Sequence, residues 1–391
     1  MATPAQALSG VTPEALPTPS LLVDRARLAR NIDRMRTRLA TLGVPLRPHV
    51  KTAKCAEITR LMLAGQPGGV TVSTLAEAHD CLDHGITDIL YAVGIVPAKL
   101  DAVAALVADG AHVTVLLDAP ATARDVASRA AALGLELPVM IEIDSDGHRA
   151  GLRPDDPALV EAGRILDAGP GTRLAGVLTH AGDSYQCRSA SALEAMAERE
   201  RVCVVGAAAR LREAGLRCPH VSVGSTPTAL YATRLDGVTE VRAGVYVFMD
   251  LVMAGIGVCS VDDIALSVLT SVIGHQHERG RMFVDAGWMA LSRDRGTADQ
   301  PIDQGYGLLR APDGGPTPDA PDALVVTATS QEHGIVTARD GAAVDLSRWP
   351  VGSRLRVLPN HACATAAQHA GYALLDERGR VETYWPRRGG W

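Results

Sequence analysis

Residues Asp24 to Lys51, DRARLARNIDRMRTRLATLGVPLRPHVK, decide how the rest of the chain is read. Leu28, Ile32, Met35 and Leu39 recur at the three-to-four spacing of a helix with one buried face. Gly43 follows as a stop, because glycine takes the left-handed conformation that ends a helix without steric penalty. Leu46–Val50 then reads as a short strand, and Lys51 stands directly at its end.

The same alternation continues along the chain. Strand-like segments recur near Gly69–Ser73, Asp88–Ala92, His112–Leu117, Leu137–Ile143, Leu174–Thr179, His220–Val223 and Glu240–Ala243. Helix-like segments separate most of them, and several stop at a glycine: Gly85, Gly110, Gly134, Gly169 and Gly215. An open doubly wound sheet would also alternate. Eight βα units in about 220 residues fit a closed (β/α)8 barrel better. After about Ser260 the helical period is lost. Ile264–Ile273, Met282–Asp285, Leu324–Ala328 and Arg354–Leu358 alternate as strands do, with Gly, Pro and Asp between them, notably over Ala311–Pro321. The expected organisation is an N-terminal segment 1–24, a barrel over 25–259 and an all-β domain over 260–391. The apolar run Leu21–Val23 could join either domain.

Composition narrows the function classes. The chain has 391 residues, 47% hydrophobic and only 3% aromatic, so its core must be aliphatic. The formal charge is −6, from 38 basic and 44 acidic residues, with no basic block, which argues against a nucleic-acid partner. No apolar run approaches the roughly 20 residues of a membrane span. Met1–Thr18 lacks a basic start followed by an apolar stretch, so no signal peptide is expected and a cytoplasmic protein follows. The seven cysteines are scattered without paired spacing, so reduced thiols are expected.

Several short segments carry groups able to do chemistry. Arg47-Pro48-His49-Val50-Lys51-Thr52 sets Lys51 just past the first barrel strand, and catalytic groups of such barrels gather at the C-terminal ends of strands. A lysine partly withdrawn from water there has a lowered pKa and can form an imine. On position alone, a surface lysine in a βα loop is the commoner case. Val223-Gly224-Ser225-Thr226-Pro227-Thr228 follows the seventh strand, and Arg242-Ala243-Gly244-Val245-Tyr246 follows the eighth. Barrels commonly bind phosphate between those two loops, where small residues let backbone N–H groups approach an anion and hydroxyls add donors. Ile141-Glu142-Ile143-Asp144, with Gly147, His148, Arg149 and Gly151, follows the fifth strand; Thr179-His180-Ala181-Gly182, with Tyr185, follows the sixth. Both put cationic or hydrogen-bonding groups on the same barrel face. Near the C-terminus, His361 and Cys363 in Asn360-His361-Ala362-Cys363 can point the same way from an extended backbone, and both ligate zinc well. A buried cysteine beside a hydrogen-bonded histidine is the commoner arrangement.

Together with Thr18-Pro19-Ser20-Leu21, these segments resemble the alanine-racemase-type pyridoxal-phosphate (PLP) enzymes that include D-threonine aldolase and metal-dependent D-serine dehydratase. The resemblance spans nearly the whole chain, and the order of the motifs makes it specific. Val238–Phe248 and Asp285-Ala286-Gly287-Trp288-Met289 are most similar to the D-threo-3-hydroxyaspartate dehydratase branch. The resemblance implies a fold-type III, PLP-binding (β/α)8 TIM barrel followed by an all-β domain. It implies that Lys51 carries PLP, that Gly224, Ser225, Thr226, Gly244 and Val245 hold its phosphate with Tyr246 and Arg242 close by, and that Arg149, His180 and Tyr185 line its ring. His361 and Cys363 would hold a divalent metal; the thiolate favours zinc, while oxygen ligands from substrate would admit manganese or magnesium. The aldolases typically carry His-x-Asp and a glycine-run phosphate loop. His361-x-Cys363 and Gly224-Ser225-Thr226-Pro227 depart from both, toward a dehydratase. The implied reaction eliminates water from a small 3-hydroxy-D-amino acid, giving a 2-oxo acid and ammonia. A retro-aldol to glycine and an aldehyde is the alternative; a racemase or a PLP-binding protein without turnover stands further off. The family also implies a homodimer. The substrate-carboxylate arginine is not indicated, although Arg293 and Arg295 are candidates beside a solvated-loop reading.

Overall fold

The computed structural model describes residues 10–317 and 323–391, so residues 318–321 of the Gly- and Pro-rich stretch lie outside the described residues. The chain divides into two compact units. One comprises Arg34–Gly244 and Arg388–Trp391; the other comprises the described residues within Met1–Asp33 and Val245–Arg387.

Strand β1 (Ser20–Asp24) belongs to the second unit. The next eight strands build the first: β2 (Leu46–Pro48), β3 (Val70–Val72), β4 (Asp88–Gly94), β5 (His112–Leu117), β6 (Leu137–Ile143), β7 (Thr172–Thr179), β8 (His220–Val223) and β9 (Glu240–Ala243). They pair in parallel in the order β2-β9-β8-β7-β6-β5-β4-β3. The ends of that order meet where His49 bridges Thr71, and the Val50 N–H donates to the Thr71 carbonyl at 2.9 Å. This short seam closes the barrel immediately before Lys51.

Alternation along the strands sorts the barrel's side chains. Leu90, Leu116, Met140, Ala175 and Leu178 pack into one buried cluster. A polar lattice crosses β2, β8 and β9. Arg47 donates to Glu240 at 2.8 Å and forks onto both Asp88 oxygens at 3.0 Å. Ser222 donates to Glu240 at 2.6 Å, and Arg242 donates to Ser222 and to the Thr179 carbonyl.

The helix expected from Asp24 runs Arg25–Thr41, with Leu28, Ile32, Met35 and Leu39 all buried. Later helices are capped by side chains that satisfy otherwise unpaired N–H groups: Thr74, Asp156 and Ser189. Gly85, Gly110, Gly134 and Gly215 take positive φ, as a left-handed cap requires. Gly169 does not; its φ is −70°. Pro170 follows and drives the preceding residue to extended backbone. Glycine is needed there for room instead, because a Cβ would lie 2.8 Å from the Ile165 carbonyl oxygen.

The second unit is a nine-stranded sheet in the order β11-β14-β13-β12-β15-β10-β1-β16-β17. Its strands are β10 (Leu266–Gln276), β11 (Arg281–Val284), β12 (Gly307–Arg310), β13 (Leu324–Thr329), β14 (Gly334–Ala338), β15 (Arg354–Pro359), β16 (Gly371–Leu375) and β17 (Val381–Pro386). The run Leu21–Val23 joins this sheet: β1 pairs antiparallel with β10 and parallel with β16. Leu22 packs with Leu16, Leu269, Ala373, Leu375 and Val381. Strands β12, β14, β16 and β17 escape the sequence reading. Three open on a glycine and the fourth ends on a proline, so each resembles a turn until its partner is present.

Candidate active site

Lys51 lies half-buried in the turn after β2, past the seam. Its backbone N–H is 3.4 Å from His49 Nδ1, and His49 Nε2 is 3.4 Å from Ser73 Oγ. Burial, followed by the charges of Lys51 and Arg242, pushes His49 far below the usual imidazole range. In the sequence His49 has no role of its own beyond its place two residues before Lys51. His180 sits past β7 and is likewise depressed, first by burial and then by Lys51, Arg149 and Arg242. Its Nδ1 is 2.5 Å from the Gly224 carbonyl oxygen, which can only accept. The neutral ring therefore carries its proton on Nδ1 and leaves Nε2 as an acceptor.

Arg242 is buried, and burial pulls its pKa down to about 10 against the pull of Glu240, Glu200 and Glu142. Glu142 on β6 is pushed up to about 7 by burial and Asp118, partly offset by Arg242 and Arg149. Tyr185 lies with its ring 6.3 Å from the His180 ring. Arg149 is exposed.

The turn after β8 is tightly built. Ser225 caps the short helix Thr226–Tyr231 by accepting the Thr228 N–H at 3.2 Å. A Cβ on Gly224 would fall 2.0 Å from the Arg242 carbonyl oxygen. A Cβ on Gly244 would fall 2.9 Å from both the His49 carbonyl oxygen and Thr52 Oγ1. Lys51, His49, His180, Arg242 and the Gly224–Thr226 turn thus gather at the C-terminal end of the barrel. The donors, the half-buried lysine and the close backbone approaches suit a small phosphorylated aldehyde.

Val245, Tyr246, His361 and Cys363 belong to the second unit. Val245 and Tyr246 are buried in the short turn Val245–Val247. His361 ends the segment after β15, and its Nδ1 donates to Asp294 Oδ2 at 2.7 Å. Burial opposes charge on this ring, but the hydrogen bonds with Asp294 and Cys363 overcome it and lift the pKa to about 11. Asp250 is buried beneath; it accepts the N–H groups of Met253 at 2.9 Å and Ala362 at 3.0 Å. Asn360 is buried too, accepting from Thr297 and donating to the Gly305 carbonyl. These bonds fix the backbone on either side of His361.

With Nδ1 committed to a carboxylate, His361 offers Nε2 to a metal, the arrangement that orients many ligating histidines. Cys363, half-buried and two residues on, carries a soft thiol that could serve as a second ligand. Among the described residues no group of three or more His, Cys, Asp or Glu forms a metal cluster. Were His361 and Cys363 both to bind one metal, a site with two protein ligands would leave coordination positions open, as a catalytic metal requires. Nothing local in the sequence marks Asp294, which lies 67 residues from His361. Arg293 stacks 4.3 Å over Trp288, while Arg295 pairs with Asp303 at 2.5 Å and lies 5.1 Å over Tyr306.

A closed parallel barrel with a lysine at a strand end, in one chain with a separate antiparallel β unit, defines the alanine-racemase-like PLP fold. The family model "Alanine racemase, N-terminal domain" matches residues 23–252, and the serine dehydratase domain matches residues 265–375. The chain belongs to this alanine-racemase-type family, whose relatives here are named dehydratases and aldolases, which are lyases. It is 52% identical over 379 residues to D-threo-3-hydroxyaspartate dehydratase of Delftia sp. strain HT23, across 96% of this chain and 98% of that one. The solved structure of that enzyme superposes with a TM-score of 0.94 over 97% of this chain and 100% of the other. D-serine dehydratase of Dictyostelium discoideum is 28% identical over 385 residues, 94% of this chain and 95% of that one. D-threonine aldolase from Filomicrobium marinum is 29% identical, with a TM-score of 0.81 over 97% of each chain. Solved forms of D-threo-3-hydroxyaspartate dehydratase include a histidine-to-alanine variant and, two residues on, a cysteine-to-alanine variant in a metal-free form. Among the described residues no helix is long and apolar enough to cross a membrane.

Proposed function

We propose that this protein is a PLP- and divalent-metal-dependent dehydratase. It removes water from a 3-hydroxy-D-amino acid of the D-threo-3-hydroxyaspartate or D-serine type and yields a 2-oxo acid and ammonia. The observation that carries the reading is His361, backed by Asp294 and followed by Cys363, in a chain 52% identical to such a dehydratase. Residues 25–259 are read as the cofactor-binding domain and 260–391 as the metal-bearing one, acting as a homodimer on a small molecule.

PLP, when bound, acts as an electron sink for charge at the substrate Cα. Lys51 would hold the cofactor, and its amine would serve as the general base that takes the Cα proton. A lysine base fits a D-amino acid, as in the racemase relatives. Gly224, Ser225, Thr226, Gly244 and Val245 hold the phosphate end, near Tyr246. His180, Tyr185 and Arg149 bound the ring, and Arg242 supplies a fixed cation. A metal on His361 and Cys363, when bound, supplies Lewis acidity that makes hydroxide a better leaving group. The thiolate favours zinc. The eliminated enamine hydrolyses after release.

The test is a panel of D- and L-3-hydroxy amino acids assayed for ammonia. The native protein is expected to release ammonia from D-isomers alone, and Lys51→Ala to lose about 10²–10⁴-fold in rate. Equal turnover of L-isomers, or an undiminished Lys51→Ala variant, would reject the reading.

A further inference from the structure

We propose that Glu200 is a positioning residue that builds the phosphate turn, by tying the loop after β7 to the loop after β8. This rests on the reading of Gly224–Thr226 as the phosphate-binding segment.

Glu200 lies in the middle of the long helix Ala190–Glu213 and is 1% exposed. That helix already has an apolar buried face in Leu193, Ala197, Val204, Ala207 and Leu211. A buried carboxylate is not needed to dock it, and leaving one unbonded would be costly. This one is fully used. Its Oε1 accepts the Ala181 N–H and the Gly224 N–H, each at 3.0 Å. Those two N–H groups come from loops after adjacent strands.

The tie is then repeated around it. The Gly224 carbonyl accepts from His180 Nδ1. Ser184 Oγ donates to the Ala181 carbonyl at 2.7 Å and lies 3.0 Å from Ser225 Oγ. Ser225 Oγ accepts the Thr228 N–H and lies 3.0 Å from Thr228 Oγ1. Thr228 in turn hydrogen-bonds the Glu200 side chain, which closes the ring. All of these groups except the His180 side chain are buried.

Two consequences follow. The Gly224 N–H is committed to Glu200, so donors to an anion must come from residues beyond it, and Gly224 itself contributes room. The shape of the phosphate turn is braced by one carboxyl group, which holds the Gly224 N–H. Burial also pushes the Glu200 carboxyl above the usual carboxylate range, against the hydrogen bonds from Thr228, Gly224 and Ala181.

The experiment compares the affinity of the full-length apo protein for PLP and for pyridoxal, which lacks the phosphate. Native protein, Glu200→Ala, Glu200→Gln and Ser184→Ala are measured by cofactor absorbance. The native protein is expected to prefer PLP. Glu200→Ala should lose about tenfold or more of that preference, because the turn loses its brace while the lysine end is untouched. Glu200→Gln should keep it, since an amide oxygen accepts both N–H groups. An equal loss of PLP and pyridoxal affinity, or no loss, would overturn the proposal. Should Glu200→Ala not fold, Ser184→Ala decides: a reduced preference supports the tie, and an unchanged one overturns it. A native protein without preference for PLP would remove the phosphate turn itself, a different failure from that of Glu200.

Discussion

Around Lys51 stand two depressed histidines and a buried arginine. His49 and His180 are neutral at neutral pH, so neither competes with the lysine as a cation. The opposite logic governs His361, where Asp294 holds the imidazole by Nδ1. Asp294→Asn should weaken metal affinity about 10–100-fold while leaving Cys363 in place, measurable by competition with a chelator. Unchanged affinity would show that Asp294 does not orient the ligand. Glu142 gives a pH test. Its carboxyl keeps its proton up to about 7, whereas an ordinary one releases it near 4.5. Between those values the folded state binds more protons than the unfolded one. Stability from this group is therefore complete at low pH and lost as pH rises toward 7, by at most about 1.4 kcal/mol per unit. Glu142→Gln should flatten that slope in denaturant titrations; a difference between variant and native that does not vary with pH would contradict the assignment.

At the level of elements, the barrel's weak point is its seam, where β2 and β3 share the single His49–Thr71 bridge. Arg47 reinforces it from β2, reaching Asp88 on β4 and Glu240 on β9. Arg47→Ala leaves Glu240 buried without its cation and should cost about 3 kcal/mol in urea unfolding. A loss below about 1 kcal/mol would mean that the seam does not depend on Arg47. The barrel was readable because each strand is followed by a helix with its own period and, mostly, its own stop. Leu28, Ile32, Met35 and Leu39 announce the first helix without help from distant residues. The second unit was harder for the converse reason. Strands such as Gly334–Ala338 become strands only by pairing with β11 and β13. The same distinction holds at the site. Lys51, the Gly224–Thr226 turn and His361-x-Cys363 carry local signals, whereas Asp294 and Glu200 matter only through partners that folding brings to them.

Across the whole molecule, the account joins a lysine-bearing barrel and a His–Cys β unit into one lyase. The barrel, shared by dehydratases and aldolases, does not choose between breaking Cβ–O and breaking Cα–Cβ. The choice is argued from His361, Asp294 and Cys363, and from the 52% identity to a dehydratase. D-threonine aldolase shares the fold at 29% identity, so fold does not decide the reaction. The decisive measurement is product analysis of D-threo-3-hydroxyaspartate turnover by the PLP-loaded protein, with and without prior treatment by a metal chelator. The account predicts one ammonia for each 2-oxo acid, no glycine, and loss of turnover on chelation that added metal restores. Glycine with an aldehyde as the products, or full turnover after complete metal removal, would contradict it.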